Sequence, residues 1–172
     1  MMPNRSGLAC LLIAAPLLAQ NAAQNAVRLR VDATDAPRRL FHVRMTMTAK
    51  PGPMTLLYPK WIPGEHGPTG PIENLVGLQI KSGQQNLRWR RDDVNLYAFH
   101  IDVPAAPGNG QATLDVAFDV ISAPDAQGFS SGSSTTTELA VLNWNQLILY
   151  PEGAPADTMQ YQASLRLSLI HI

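Results

Sequence analysis

Phe41-His42-Val43-Arg44-Met45-Thr46-Met47-Thr48 alternates apolar and polar side chains without a break. Successive side chains of a β-strand point to opposite faces, so this stretch presents Phe41, Val43, Met45 and Met47 to one side and His42, Arg44, Thr46 and Thr48 to the other. The pattern recurs along the chain. Val27, Leu29 and Val31 alternate with Arg28, Arg30 and Asp32, and Leu114, Val116, Phe118 and Val120 alternate with Asp115, Ala117 and Asp119. Tyr161, Ala163, Leu165 and Leu167 alternate with Gln162, Ser164 and Arg166. One apolar and one polar face is the mark of antiparallel strands that cover a core on a single side. Shorter strands are expected at Met54–Tyr58, Leu75–Lys81, Leu87–Arg91, Val94–Val103 and Leu147–Tyr150. Turn-forming groups such as Lys50-Pro51-Gly52-Pro53, Ser82-Gly83, Asp92-Asp93 and Pro107-Gly108-Asn109-Gly110 separate them. The sum is an all-β fold, an antiparallel two-sheet β-sandwich of about eight or nine strands.

The 172 residues leave room for one domain, with or without a leader. A formal net charge of zero and a charged fraction of 15% exclude the basic footprint of a nucleic-acid binder. Residues 1–19 read as a signal peptide, with Arg5 as the positive n-region, Gly7 to Ala19 as the apolar h-region and cleavage possible up to Ala23. The apolar run is shorter than the roughly 20 residues that cross a bilayer, and no later segment is long and apolar enough to do so. Secretion or export to the periplasm is therefore expected. Cys10 is the sole cysteine and lies inside that leader, so a mature chain would have no disulfide, thiolate metal site or cysteine nucleophile. A short polar, alanine-rich linker over 20–26 leads into the sandwich domain, 27–172. The alternation still runs at Leu167, where Ser-Leu-Ile-His-Ile ends the chain without a polar tail, so the domain is expected to be truncated at its C-terminus.

Chemistry is sparse. No two of His42, His66, His100 and His171 have the spacing of a helical zinc site, and there is no nucleophile elbow, phosphate loop or dinucleotide fingerprint. His42 and His100 fall in the polar phase of their strands and read as solvated or hydrogen-bonded structural histidines. Gln127–Thr137 is polar and reads as an exposed loop. Asn143-Trp144-Asn145 forms an aromatic–polar cluster in which Trp144 is a core candidate. The segment Tyr58 to Asn74 is different, because it sets Trp61, Glu65 and His66 among four prolines and three glycines. Proline fixes φ and glycine permits positive φ, so this loop is expected to hold one shape and to concentrate function on a rigid scaffold. Glu65-His66 could serve as an acid–imidazole pair facing a cleft. The plainer reading is a polar tip on a Pro/Gly turn, with Trp61 tucked into the sandwich edge or anchoring a neighbouring domain.

Tyr58-Pro59-Lys60-Trp61-Ile62-Pro63-Gly64 resembles the P-x-W-x-P-G loop in the N-terminal β domain of glycyl aminopeptidase-type zinc metallopeptidases. Asn74-Leu75-Val76-Gly77-Leu78 is similar to the strand after that loop, and Leu142 to Pro151 is similar to the family's later Asn-bearing turn and strand. The family loop commonly continues Pro-Gly-Ser-Tyr, whereas this chain has Pro63-Gly64-Glu65-His66, so no role of the Ser-Tyr pair carries over. Members of the family join such a domain to a thermolysin-like catalytic domain and usually a PDZ domain. The resemblance implies a non-catalytic N-terminal domain that packs on its own catalytic domain. It also implies that Trp61, Pro63, Gly64, Glu65, His66 and Asn74 line the interdomain contact or the rim of the substrate cleft. Zinc and the peptide substrate would belong to the catalytic domain, with no cofactor, metal ligand or catalytic residue in this chain. The rival readings are a stand-alone periplasmic binding or adhesion module, and an independent metal enzyme built on Glu65 and His66.

Overall fold

The computed structural model describes residues 26–106, 108, 110–122, 132–155 and 157–168. The leader at 1–19, all but the last residue of the 20–26 linker and residues 127–131 of the expected polar loop lie outside them. Among the described residues the chain forms twelve strands: β1 (Val27–Asp32), β2 (Leu40–Ala49), β3 (Gly52–Leu57), β4 (Leu75–Ser82), β5 (Gln85–Leu87), β6 (Trp89–Arg91), β7 (Ala98–Val103), β8 (Ala112–Ile121), β9 (Ser134–Thr135), β10 (Ala140–Val141), β11 (Tyr150–Pro151) and β12 (Tyr161–Arg166). Their order is β12-β1-β2-β8-β4-β5 in a six-stranded sheet and β11-β3-β7-β6 in a four-stranded one, with β9 and β10 as a separate pair. This is the expected all-β two-sheet sandwich, divided into more and shorter strands.

The spine is the ten-residue antiparallel ladder between β2 and β8, from Leu40 opposite Ile121 to Ala49 opposite Ala112. Its register sets Phe41, Val43, Met45 and Met47 against Val120, Phe118, Val116 and Leu114, and all eight are buried. Each such side chain contributes roughly 1.5–3 kcal/mol on leaving water. A slip of one residue would turn the whole set to solvent, so burial itself fixes the pairing. Leu56, Phe99, Ile101 and Val103 enter the same core from the four-stranded sheet, and Leu147 and Leu149 help to close it.

Five elements differ from the sequence reading. In the described part of the expected exposed loop at 127–137, Ser133 and Thr135 are buried and Ser134–Thr135 forms β9. Leu87–Arg91 is two strands on two sheets: β5 pairs with β4, the chain crosses at Arg88, and β6 pairs with β7. Both halves satisfy the same alternation, which carries no information about the sheet joined. The strand expected from Val94 begins only at Ala98. The Asp92 carboxylate accepts the N–H groups of Val94 (2.9 Å) and Asn95 (2.7 Å) and holds the intervening residues in a turn. Leu147–Tyr150 is mostly irregular, with strand only at Tyr150–Pro151, although Leu147 and Leu149 are buried as a strand's inner residues would be. The last strand runs parallel to β1, not antiparallel, and none of its side chains is buried. It adds a backbone ladder to the sheet edge, beyond the reach of the core.

Candidate functional site

The loop between β3 and β4 is tightly folded. Pro63 and Gly64 occupy the centre of a β-turn closed by the Glu65 N–H on the Ile62 carbonyl (3.0 Å), with Gly64 at φ +90°, the type II arrangement that Pro-Gly favours. Further on, the Gly70 N–H donates to the Lys60 carbonyl at 3.0 Å and draws the two arms of the loop together. Gly70 is buried there, and a Cβ at this position would collide with the Pro59 carbonyl, so only glycine permits the approach. A 3-10 turn at Ile72–Asn74 then delivers the chain into β4.

Tyr97, in the turn just before β7, ties this loop to the sandwich. Its hydroxyl donates to the Pro68 carbonyl at 3.0 Å, its ring stacks at 6.5 Å on that of buried Tyr58, and the Lys60 ammonium lies 5.6 Å from its centroid. Nothing in the sequence alone singled out Tyr97, because its partners lie 29 and more residues away.

Within this frame Ile62 is buried, and Trp61 beside it is 66% exposed, not tucked into the sandwich edge. Pro63, Gly64 and His66 are exposed, whereas Glu65 and Asn74 are half-buried. Neither Glu65 nor His66 has a side-chain hydrogen bond or ion pair with any described residue. No group of three or more His, Cys, Asp or Glu side chains that could hold a metal ion occurs among the described residues. The loop thus presents an aromatic side chain and two polar ones on a fixed backbone. The neighbouring turn between β6 and β7, which carries Tyr97, exposes Val94 (94%) and Leu96 (52%).

The Asn143-Trp144-Asn145 cluster is organised by the residue that follows it. Gln146 is buried, and its Oε1 accepts the Ser133 N–H (2.9 Å) and the Ser133 hydroxyl (3.0 Å). Its backbone carbonyl accepts the Tyr58 hydroxyl at 3.0 Å, and burial holds that phenol well above its ordinary pKa. With Gln146 turned inward on a 3-10 turn at Trp144–Gln146, Trp144 is left 41% exposed, so it is not a core residue.

The two strand histidines each engage carboxylates. His42 Nδ1 lies 2.8 Å from Asp119 Oδ1 and its Nε2 lies 3.1 Å from Asp35 Oδ2. Only the doubly protonated ring can donate to both, and hydrogen bonds first to Asp119 and then to Asp35 raise its pKa. His100 bridges Thr55 Oγ1 (3.2 Å) and Asp92 Oδ2 (2.9 Å). The Asp92 carboxyl is pulled far below the usual range by the Asn95 N–H, then by His100 and by the Val94 N–H. A hydroxyl, an imidazole and a carboxylate in series have the composition of a hydrolytic triad. Here the carboxylate's other oxygen organises a turn, and the chain of bonds braces β3, β7 and that turn.

The sequence profile of the peptidase M61 N-terminal domain matches residues 28–168. The chain belongs to this family. No curated protein matches the M61 N-terminal domain described here in sequence. Among solved structures, an aminopeptidase N family protein from Idiomarina loihiensis superposes with a TM-score of 0.66 at 17% identity, over 83% of this chain and 22% of that one. The likeness is one of fold, and the M61 domain spans less than a quarter of that protein's length.

Proposed function

We propose that this M61 N-terminal domain is the non-catalytic domain of a secreted or periplasmic zinc aminopeptidase, and that it packs on the catalytic domain through the Trp61–Asn74 loop and the turn at Val94–Leu96. The observation that carries this reading is the exposure of Trp61, Val94 and Leu96 on two segments locked together by Tyr97. Exposed apolar side chains on a rigid frame are what an interdomain contact requires, and tryptophan is a frequent anchor of such contacts. Zinc and the water it activates belong to the catalytic domain in this reading. The present residues contribute packing and the rim of the cleft, where Glu65 and His66 would border the peptide's path.

The gene supplies the first test: a reading frame continuing past Leu167 into His-Glu-x-x-His supports the proposal, and a genuine stop codon there favours a stand-alone binding module. The second test is biochemical. The domain and the separately produced catalytic domain should associate in calorimetry, and Trp61→Ser should weaken the association at least tenfold. Absence of association, or an unchanged affinity for the variant, would overturn the docking mode.

A further inference from the structure

The outer face of the six-stranded sheet carries a hollow of about 350 Å³ on the strands β1, β2, β4 and β8. Its rim is cationic: Arg28 and Arg30 from β1, Arg44 from β2 and Lys81 from β4. Ala117 of β8 sits between Arg44 and Gln79 in the ladders, and its small side chain leaves the depression that the long cationic ones surround. Among the described residues none of the four cations has a hydrogen bond or an ion pair. Arg30 stands directly opposite Arg44 across the β1–β2 ladder, an arrangement in which like charges repel. Asp115 is the single carboxylate on the rim, and the Thr46 hydroxyl donates to it at 3.0 Å. The acids farther along this face are engaged elsewhere, Asp119 and Asp35 by His42, and Asp32 by Arg166 at 3.2 Å.

Four cations against a single carboxylate, Asp115 opposite Lys81 in the β4–β8 ladder, surround a small-floored hollow in a chain of zero net charge, an arrangement that an anion would complete. Two guanidinium forks across one ladder suit the planar, bidentate recognition of oxyanions. We propose that this hollow is a binding site for a multivalent oxyanion, phosphate or carboxylate in chemistry. The site is independent of the docking loop and does not rest on the peptidase reading.

The test is a heteronuclear NMR titration of the protein with inorganic pyrophosphate in one arm and citrate in the other, at ionic strength held constant with potassium chloride. Saturable shifts confined to the amides of residues 28–30, 44–46, 79–81 and 115–117 are expected, and the arm that binds more tightly identifies the oxyanion class. The double substitution Arg30→Gln with Arg44→Gln should weaken binding at least tenfold. Lys50→Gln, in the turn between β2 and β3, should bind as the parent does. Shifts that rise linearly without saturating, shifts that chloride alone reproduces, or an unchanged affinity in the double variant would overturn the site. Because the map of shifted amides is read on the unaltered protein, the test remains decisive if the double variant does not fold.

Discussion

His42 makes one strand position sensitive to pH. Its ring reaches Asp119 on the neighbouring strand and Asp35 beside the 3-10 turn at Ala36–Arg38, so the protonated form pins that turn to the sheet. The folded-state pKa is raised, so the stabilisation is complete below the ordinary imidazole value and is lost as pH rises through the elevated one. The parent's advantage over His42→Gln in urea melts should therefore be largest below the ordinary imidazole pKa of about 6.5 and shrink as pH rises above it. A difference that stays constant over that rise would show that the ion pairs contribute nothing. Gly70 supplies a steric counterpart. Gly70→Ala should cost about 1–3 kcal/mol, because the added Cβ can be accommodated only by parting Pro59–Lys60 from Gly70. A melt matching that of the parent would show that the loop opens freely. The role of Gly70 was not legible beforehand: the sequence marks it as a turn former, and only the folded loop brings the Pro59 carbonyl against it.

Among the elements, the 3-10 turn at Trp144–Gln146 and the edge strand β12 owe their stability to different forces. The turn is held by the buried Gln146 amide, so Gln146→Leu would orphan the Ser133 N–H and hydroxyl and should cost about 1–3 kcal/mol by denaturant titration. A neutral result would mean that water replaces the lost acceptor. By contrast, β12 is held by its ladder to β1 and by two surface contacts to that strand, Arg166 on Asp32 and the Ser164 hydroxyl on the Leu29 carbonyl, with every side chain exposed. Its amides should exchange with deuterium well before those of β2 and β8, whose inner faces are in the core. Equal protection in all three strands would refute that ranking. Tyr161–Arg166 and Phe41–Met47 show the same alternation, yet one strand is peripheral and the other central. Alternation reports the geometry of a strand, and burial depends on what lies across from it. The division of Leu87–Arg91 between two sheets escaped the sequence for the same reason.

At the scale of the whole molecule, the sandwich presents two surfaces of opposite character. One end exposes Trp61, Val94 and Leu96, and the outer face of the six-stranded sheet gathers Arg28, Arg30, Arg44 and Lys81. The isolated domain is expected to self-associate through the apolar end, and Trp61→Ser should reduce that association in light scattering. A monodisperse parent would count against an uncovered docking surface. The sequence by itself determined that the chain is all-β, which side chains of its long strands face inward, and that Pro63-Gly64 makes a turn. These are local properties, set by the period of the strand and the φ preferences of two residues. Only the tertiary structure decided which strands pair, in which direction and in which sheet, since those choices depend on burial summed over distant segments. That pairing brings Tyr97 to the loop and sets Arg30 opposite Arg44, with Lys81 beyond them on β4. Local alternation places each cation on an outward face, and long-range pairing decides that they share one.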